Sequence, residues 1–341
     1  MPTNIEVHGS GVAGCCCTHL LRSGGLEVLA ESSTRTDGPV LMLSDQTQTL
    51  LTDVFGHGGL FGDAIQIKKR IVLWGRNSEA AVLPHSGIVV SEAVLLDRLW
   101  RMVAANLSVA SDSRAIGEGK VDWQIFSSQS QITAEAHHFG SRMATTTSVT
   151  FKSEVMEDAC WVEALENGWL FLLPCGEGRG SLISVGGVPE ALVAESRLIA
   201  RQIDKIDQTK SRFPAYPRIV TPLCAANWLA CGGAALGFDP ICGEGAGNAV
   251  REAILASAVI RAAEKDLDVD ELMALYTSRL MSGFARHLKL CQDFYEAAGG
   301  GAWWQSELQL LRTGMEWTQQ RMNGNEGQRY RLAGFELQQV G

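Results

Sequence analysis

No apolar run in this chain reaches the roughly 20 residues that a membrane-spanning helix needs, so no membrane span is expected. The first strand-like run starts almost at Met1, which leaves no room for a signal peptide and points to a cytoplasmic protein. Positive charge is scarce. With 29 Lys and Arg against 38 Asp and Glu, the net charge is −9, which argues against nonspecific nucleic-acid binding but leaves room for a local basic patch around an anionic ligand. No C-x-x-C pair is present and no His/Cys cluster has zinc spacing, so no metal is expected. Internal repeats and low-complexity linkers are missing as well. What is there is ordinary for a globular chain: 341 residues, 46% hydrophobic and 20% charged, long enough for two domains. The nine cysteines, without an export signal, read as reduced thiols. Cys15, Cys16 and Cys17 are consecutive on an expected helix, point in different directions around it, and read as small buried residues.

The strongest local signal is IEVHGSGVAGCCCTHLLRSGGLEVLAE, Ile5 to Glu31, which reads as strand, glycine turn, helix, strand and acid. Gly9, Gly11 and Gly14 have G-x-G-x-x-G spacing, with Val12 and Ala13 opening the helix. Such a motif needs one glycine for the tight turn, a second for close backbone approach to a pyrophosphate, and a third for helix–strand packing. The helix N-terminus offers free N–H groups to phosphate, and Glu31 stands where an acid accepts hydrogen bonds from a ribose. These residues predict dinucleotide binding and leave NAD and FAD both open.

Short strand-like runs (VLML, AIQIKKRIVLWG, AAVLP, GIVV) fill residues 38–90, interrupted by glycine-rich Phe55–Gly62. Ser91–Leu107 reads as an amphipathic helix with Ser91 as N-cap, and VDWQIFSS as a short strand. Residues 146–187 alternate with period two, as in an antiparallel sheet. PEALVAESRLIARQIDKI reads as one helix, and the tail from Asp268 as helical with a break at the glycines 299–301.

The segment CGGAALGFDPICGEGAGNA, Cys231 onward, favours FAD. It resembles the C-terminal FAD motif of the flavoprotein monooxygenase superfamily of p-hydroxybenzoate-hydroxylase fold, which includes flavin-dependent halogenases and geranylgeranyl reductases. Gly232, Ala234, Ala235, Asp239, Pro240, Gly243, Gly245 and Asn248 fall at matching positions, with Gly233, Ala246 and Gly247 between them. The resemblance implies an α/β architecture: a Rossmann-like parallel-sheet FAD domain (1–34, 91–135 and 219–266), a smaller antiparallel-sheet substrate domain (35–90 and 136–218), and a helical C-terminal region (267–341). Arg98 in LLDRLW resembles the family's arginine beside the FAD diphosphate; it reads equally as a surface helix residue. Gly168–Pro174 resembles the family's aromatic strand over the flavin, which makes Trp169 and Phe171 candidates for the catalytic pocket.

The implied activity is FAD-dependent monooxygenation of an aromatic, indole-like substrate through a flavin C4a-hydroperoxide. The tail FARHLKLCQDFYEAAGGGAWWQSELQLL resembles that of halogenase-like members, some of which hydroxylate tryptophan in a partner protein during quinone cofactor maturation. The implied partners are thus an aromatic small molecule or a tryptophan-bearing protein, with the reductant unknown. His57, in the GHGG loop, is a candidate general base or a loop hydrogen-bonder. Cys242 reads as a packing residue or as a redox group, and Trp303–Trp304 as a partner patch or a helix-packing pair. Two departures stand out. Gly233 replaces the family's acid at the ribityl chain, and the residue eight before Trp74 is Gln66, where halogenases carry lysine. A C=C reductase of the geranylgeranyl-reductase type and a degenerate, non-catalytic flavoprotein fold remain the alternatives.

Overall fold

The computed structural model describes residues 3–30, 40–75, 77, 79–105, 122–128, 132, 134–322 and 329–340. Strand β1 (Asn4–His8) buries Ile5 and Val7, then turns through Gly9 and Gly11 into α1 (Val12–Ser23) and β2 (Glu27–Ala30). Every α1 residue from Val12 to Leu21 is buried, and Cys15, Cys16 and Cys17 are fully enclosed, as small side chains on a central helix should be.

Strand β3 (Val40–Ser44) leads into α2 (Asp45–Phe55), a helix where the sequence suggests only strand-like runs. Three threonines and two aspartates lower its intrinsic propensity. The Ser44 hydroxyl caps it by accepting the Thr47 N–H, and Leu51, Val54 and Phe55 bury one face. Strands β4 (Ile65–Leu73) and β5 (Ala81–Ser91), helix α3 (Glu92–Ala105) and strands β6 (Trp123–Phe126), β7 (Glu135–His138), β8 (Met143–Phe151), β9 (Ala159–Leu165), β10 (Gly168–Gly176) and β11 (Arg179–Val185) follow.

The expected long helix after Pro189 is corrected. Helix α4 (Pro189–Glu195) stops early, and Ile203 opens β12 (Ile203–Pro214). The buried Glu163 carboxylate causes the break by accepting the N–H groups of Arg197, Leu198 and Ile199, which removes them from a helical ladder. Then come β13 (Arg218–Thr221), β14 (Cys224–Ala225), β15 (Trp228–Ala230), β16 (Leu236–Gly237), α5 (Gly245–Ala263), α6 (Val269–Ala298) and α7 (Ala302–Met322). The tail is not wholly helical: β17 (Tyr330–Ala333) and β18 (Glu336–Gln339) form a hairpin turned by Gly334.

Two large sheets organise the molecule. The first runs β14-β15-β6-β1-β2, parallel from β15 to β2. The second runs β12-β8-β11-β10-β9-β4-β5-β3 and is antiparallel except where β4 lies beside β9. The α/β class holds, but the size relation is reversed, with eight strands in the antiparallel sheet against five in the parallel one. The central strand β10 of the second sheet is buried on both faces. Trp169, Phe171 and Leu173 of β10 face the main core, while Leu170 and Leu172 face a smaller cluster with Trp161, Leu182 and Leu192. A bulge between Ile67 and Lys69 flips β4, so Ile67 faces the main core and Ile71 the smaller one. Among the described residues no helix is long and apolar enough to cross a membrane.

Candidate cofactor and active site

At the end of β1, Gly9 has φ +111°, a conformation that glycine adopts freely. A Cβ on Gly14 would lie 2.0 Å from the Gly9 carbonyl oxygen, so α1 packs on the turn because residue 14 has no side chain. Gly11 differs: a Cβ there would meet nothing within 4 Å. It is also the N-cap of α1 and makes no side-chain bond, which leaves the amides of Val12, Ala13 and Gly14 without a capping side chain. Trp100 of α3 donates its indole N–H to the Ser10 carbonyl at 3.0 Å and fixes the turn. Open space in front of uncapped amides is what a pyrophosphate requires. Glu31 lies outside the described residues.

The second glycine segment meets the first. Gly232 has φ +52°, and a Cβ on it would come within 2.7 Å of the Ala13 Cβ. Its N–H donates to Glu252 Oε2 at 2.7 Å. Glu252 is buried, its Oε1 has no hydrogen-bond partner, and burial pushes its carboxyl up to about 8 despite the Gly232 N–H and Arg218, which pull it down. Gly233, where the family carries an acid, is roomy, with the nearest atom to a Cβ being the Ser127 carbonyl oxygen at 3.7 Å.

Asp239 faces inward. Its Oδ1 accepts the Ile241 N–H at 2.9 Å and caps the turn Pro240–Cys242, which ends at Gly243 with φ +66°. Its Oδ2 accepts Arg142 Nε at 2.8 Å and the Tyr295 hydroxyl at 2.9 Å. Arg142 also donates through Nη1 to Glu307 Oε2 at 2.5 Å and lies 4.6 Å from the Tyr295 ring centroid. Tyr295 Oη in turn accepts the Trp169 indole N–H at 3.2 Å. Asp239 is therefore the anchor of its loop, with both carboxylate oxygens taken up by protein. Arg142, Tyr295 and Glu307 escape a sequence reading because they come from three distant segments and carry no local pattern.

At the start of α5, Gly245 is open and Glu244 provides no side-chain cap, so a second helix N-terminus is free beside Gly243. Ala246 is half-buried. Gly247 serves packing, since a Cβ would lie 2.6 Å from Thr47 Oγ1 of α2. Asn248 accepts Arg251 Nη1 at 3.2 Å.

The remaining candidates have definite places. Arg98 pairs with Asp63 through two hydrogen bonds and donates to the Leu60 carbonyl, tying the glycine-rich loop to α3. His57 is exposed, and its Nδ1 accepts the Gly59 N–H at 3.0 Å, a local turn contact. Trp169 and Phe171 lie buried on the inner face of β10. Trp304 is buried with its N–H on the Leu165 carbonyl, and Trp303 packs edge-on against it, so the pair packs helix on sheet.

Sequence spacing shows no His/Cys cluster, yet the fold brings Cys242, His287 and Cys291 together, with their ligand atoms within 4.8 Å of one another. Cys242 comes from the Asp239 loop and the other two from successive turns of α6, so linear spacing could not show the group.

The fold is shared with known flavoproteins. The chain superposes over its full length on 86% of QhpG, a peptidyl tryptophan dihydroxylase essential for tryptophylquinone cofactor biogenesis, at TM-score 0.70 and 17% identity. With the flavin-dependent halogenase CmlS the TM-score is 0.71 at 14% identity, over 95% of this chain and 71% of that one. With a variant of HpxO from Klebsiella pneumoniae, complexed with FAD, it is 0.59 at 15% identity, over 94% and 97%. This chain has their fold. No protein-family model and no curated protein sequence matches it.

Proposed function

We propose that the protein is an FAD-dependent monooxygenase that hydroxylates an aromatic, indole-like group, with a tryptophan side chain of a partner protein as the leading substrate. The observation that carries this is the meeting of Gly232 with Ala13, which joins an open phosphate cradle and a glycine loop at one place on a fold shared with QhpG and HpxO. In this reading the α1 amides after Gly11 hold the pyrophosphate, and the Gly243–Gly245 loop with the α5 N-terminus approaches the flavin ring and favours negative charge there. FAD, when bound, supplies two-electron activation of oxygen. The protein's own part is to orient and exclude water: Arg142, Tyr295 and Asp239 fix the loop against β10, and Trp169 and Phe171 give that sheet face an apolar wall. The test is oxygen consumption by the reduced holoprotein. It should depend on an indole-bearing peptide and yield a peptide heavier by oxygen; a flavin-loaded protein that leaves such peptides and free indoles unmodified would overturn the reading.

One observation favours a second reading, C=C reduction of an apolar substrate. A cavity of about 720 Å³ opens between α5, α6 and the β17–β18 hairpin, lined by Leu236, Leu255 and Leu275 but also by Arg251, Arg279 and Arg286. Turnover of an isoprenoid alkene that is indifferent to oxygen would favour it.

A further inference from the structure

Cys242 Sγ and Cys291 Sγ lie 3.6 Å apart, and Cys291 Sγ lies 3.3 Å from His287 Nε2. Cys291 is fully buried on α6, whereas Cys242 is partly exposed at the end of the Pro240–Cys242 turn. Two chemistries suit such a group, a soft metal ion or a redox-active thiol pair, and the hydrogen bonds choose between them. The His287 Nε2 lone pair that a metal would need already accepts the Asp239 backbone N–H at 2.9 Å. The thiol pair needs no rearrangement of these bonds. Burial pushes the Cys291 thiol well up, so Cys291 is the poorer first target for an oxidant, and Cys242 is the accessible one.

We propose that Cys242 and Cys291 are a peroxide-responsive dithiol, with Cys242 the sulfur oxidised first and Cys291 the resolving sulfur. Hydrogen peroxide transfers one oxygen to Cys242 Sγ, giving a sulfenic acid and one water. Cys291 Sγ then attacks Cys242 Sγ. The S–O bond breaks, the S–S bond forms, and the hydroxide leaves with the Cys291 proton as a second water. The two thiols lose two electrons and the peroxide gains them. Closing the bond draws the Pro240–Cys242 turn onto α6, and Asp239 and Gly243 flank that turn on either side. The inference does not rest on flavin binding, because added peroxide suffices.

The test is peptide mass spectrometry without reduction, after limited hydrogen peroxide and alkylation of the remaining thiols. The expected product is a crosslink between the Cys242 and Cys291 peptides, lighter by two hydrogen atoms than the reduced pair and reversed by dithiothreitol. Cys242→Ser should abolish it, and Cys291→Ala should leave Cys242 oxidised without a crosslink. The proposal is overturned if both residues still alkylate once the exposed Cys175 is oxidised. It is overturned equally if the purified protein carries one zinc per chain that is lost in Cys242→Ser.

Discussion

Gly232 and Ala13 touch so closely that a methyl group on the glycine would sit 2.7 Å from the alanine Cβ. The contact joins the turn after β15 to the first turn of α1. Two glycine segments far apart in the chain thereby meet, and neither suffices alone to specify a flavin.

The three glycines of the first segment should separate by role. Gly14→Ala forces a Cβ to 2.0 Å from the Gly9 carbonyl and should destabilise the fold by about 1–3 kcal/mol. Gly11→Ala meets no atom and keeps an ordinary extended φ of −73°, so the melting temperature should hold. Its FAD affinity should nonetheless fall about tenfold or more, because the methyl group enters the cradle. Thermal melts and FAD titrations of the two variants check the contrast.

Restoring the missing acid should strengthen binding. Gly233 has room for a side chain and no left-handed φ, so Gly233→Asp fits without strain. A charge-assisted hydrogen bond to the ribityl chain contributes about 1.5–3 kcal/mol, which predicts FAD binding roughly ten- to a hundredfold tighter. An unchanged or weaker affinity in a flavin-fluorescence titration would show that the ribityl chain does not run past this position.

The buried ion cluster should behave as a unit. Asp239→Ala leaves Arg142 charged and half-compensated inside the protein and should cost about 3–5 kcal/mol in denaturant unfolding. Arg142→Leu should cost a similar amount, and the double variant clearly less than the sum of the two. Additive losses would mean that the two side chains do not depend on each other.

Glu252 makes stability depend on pH in an unusual direction. Its carboxyl titrates at about 8 in the folded protein, above its ordinary value of 4.5. The folded state therefore holds a proton that the unfolded state has released. The stabilisation is complete below the ordinary value and is lost as pH rises from there to about 8. Glu252→Gln mimics the protonated acid and should remove that slope. Relative to wild type it should gain about 2–4 kcal/mol between pH 5 and pH 8, measured by melts across that range. Parallel stability curves for the two proteins would refute the assignment.

What is legible in the sequence is local. The G-x-G-x-x-G turn, the buried Cys15–Cys17 stretch, α3 and the break before α7 each follow from patterns within a few residues. Helix α2 is hidden because its threonines and aspartates mask a short apolar face, and β12 because Glu163 intercepts the amides that would have continued α4. The inward clamp on Asp239 is not legible at all. Arg142, Tyr295 and Glu307 are polar residues whose burial is decided by tertiary packing, and the same holds for His287 and Cys291 beside Cys242.

In the proposed function, Gly9–Gly14 and Gly232–Gly245 form a single FAD site. Titrating purified protein with FAD, read by flavin fluorescence and absorbance, tests it most directly. Saturation at one FAD per chain, weakened in Gly11→Ala and tightened in Gly233→Asp, is the predicted result. No saturable binding to folded wild-type protein, with or without a tryptophan-bearing partner, would contradict it.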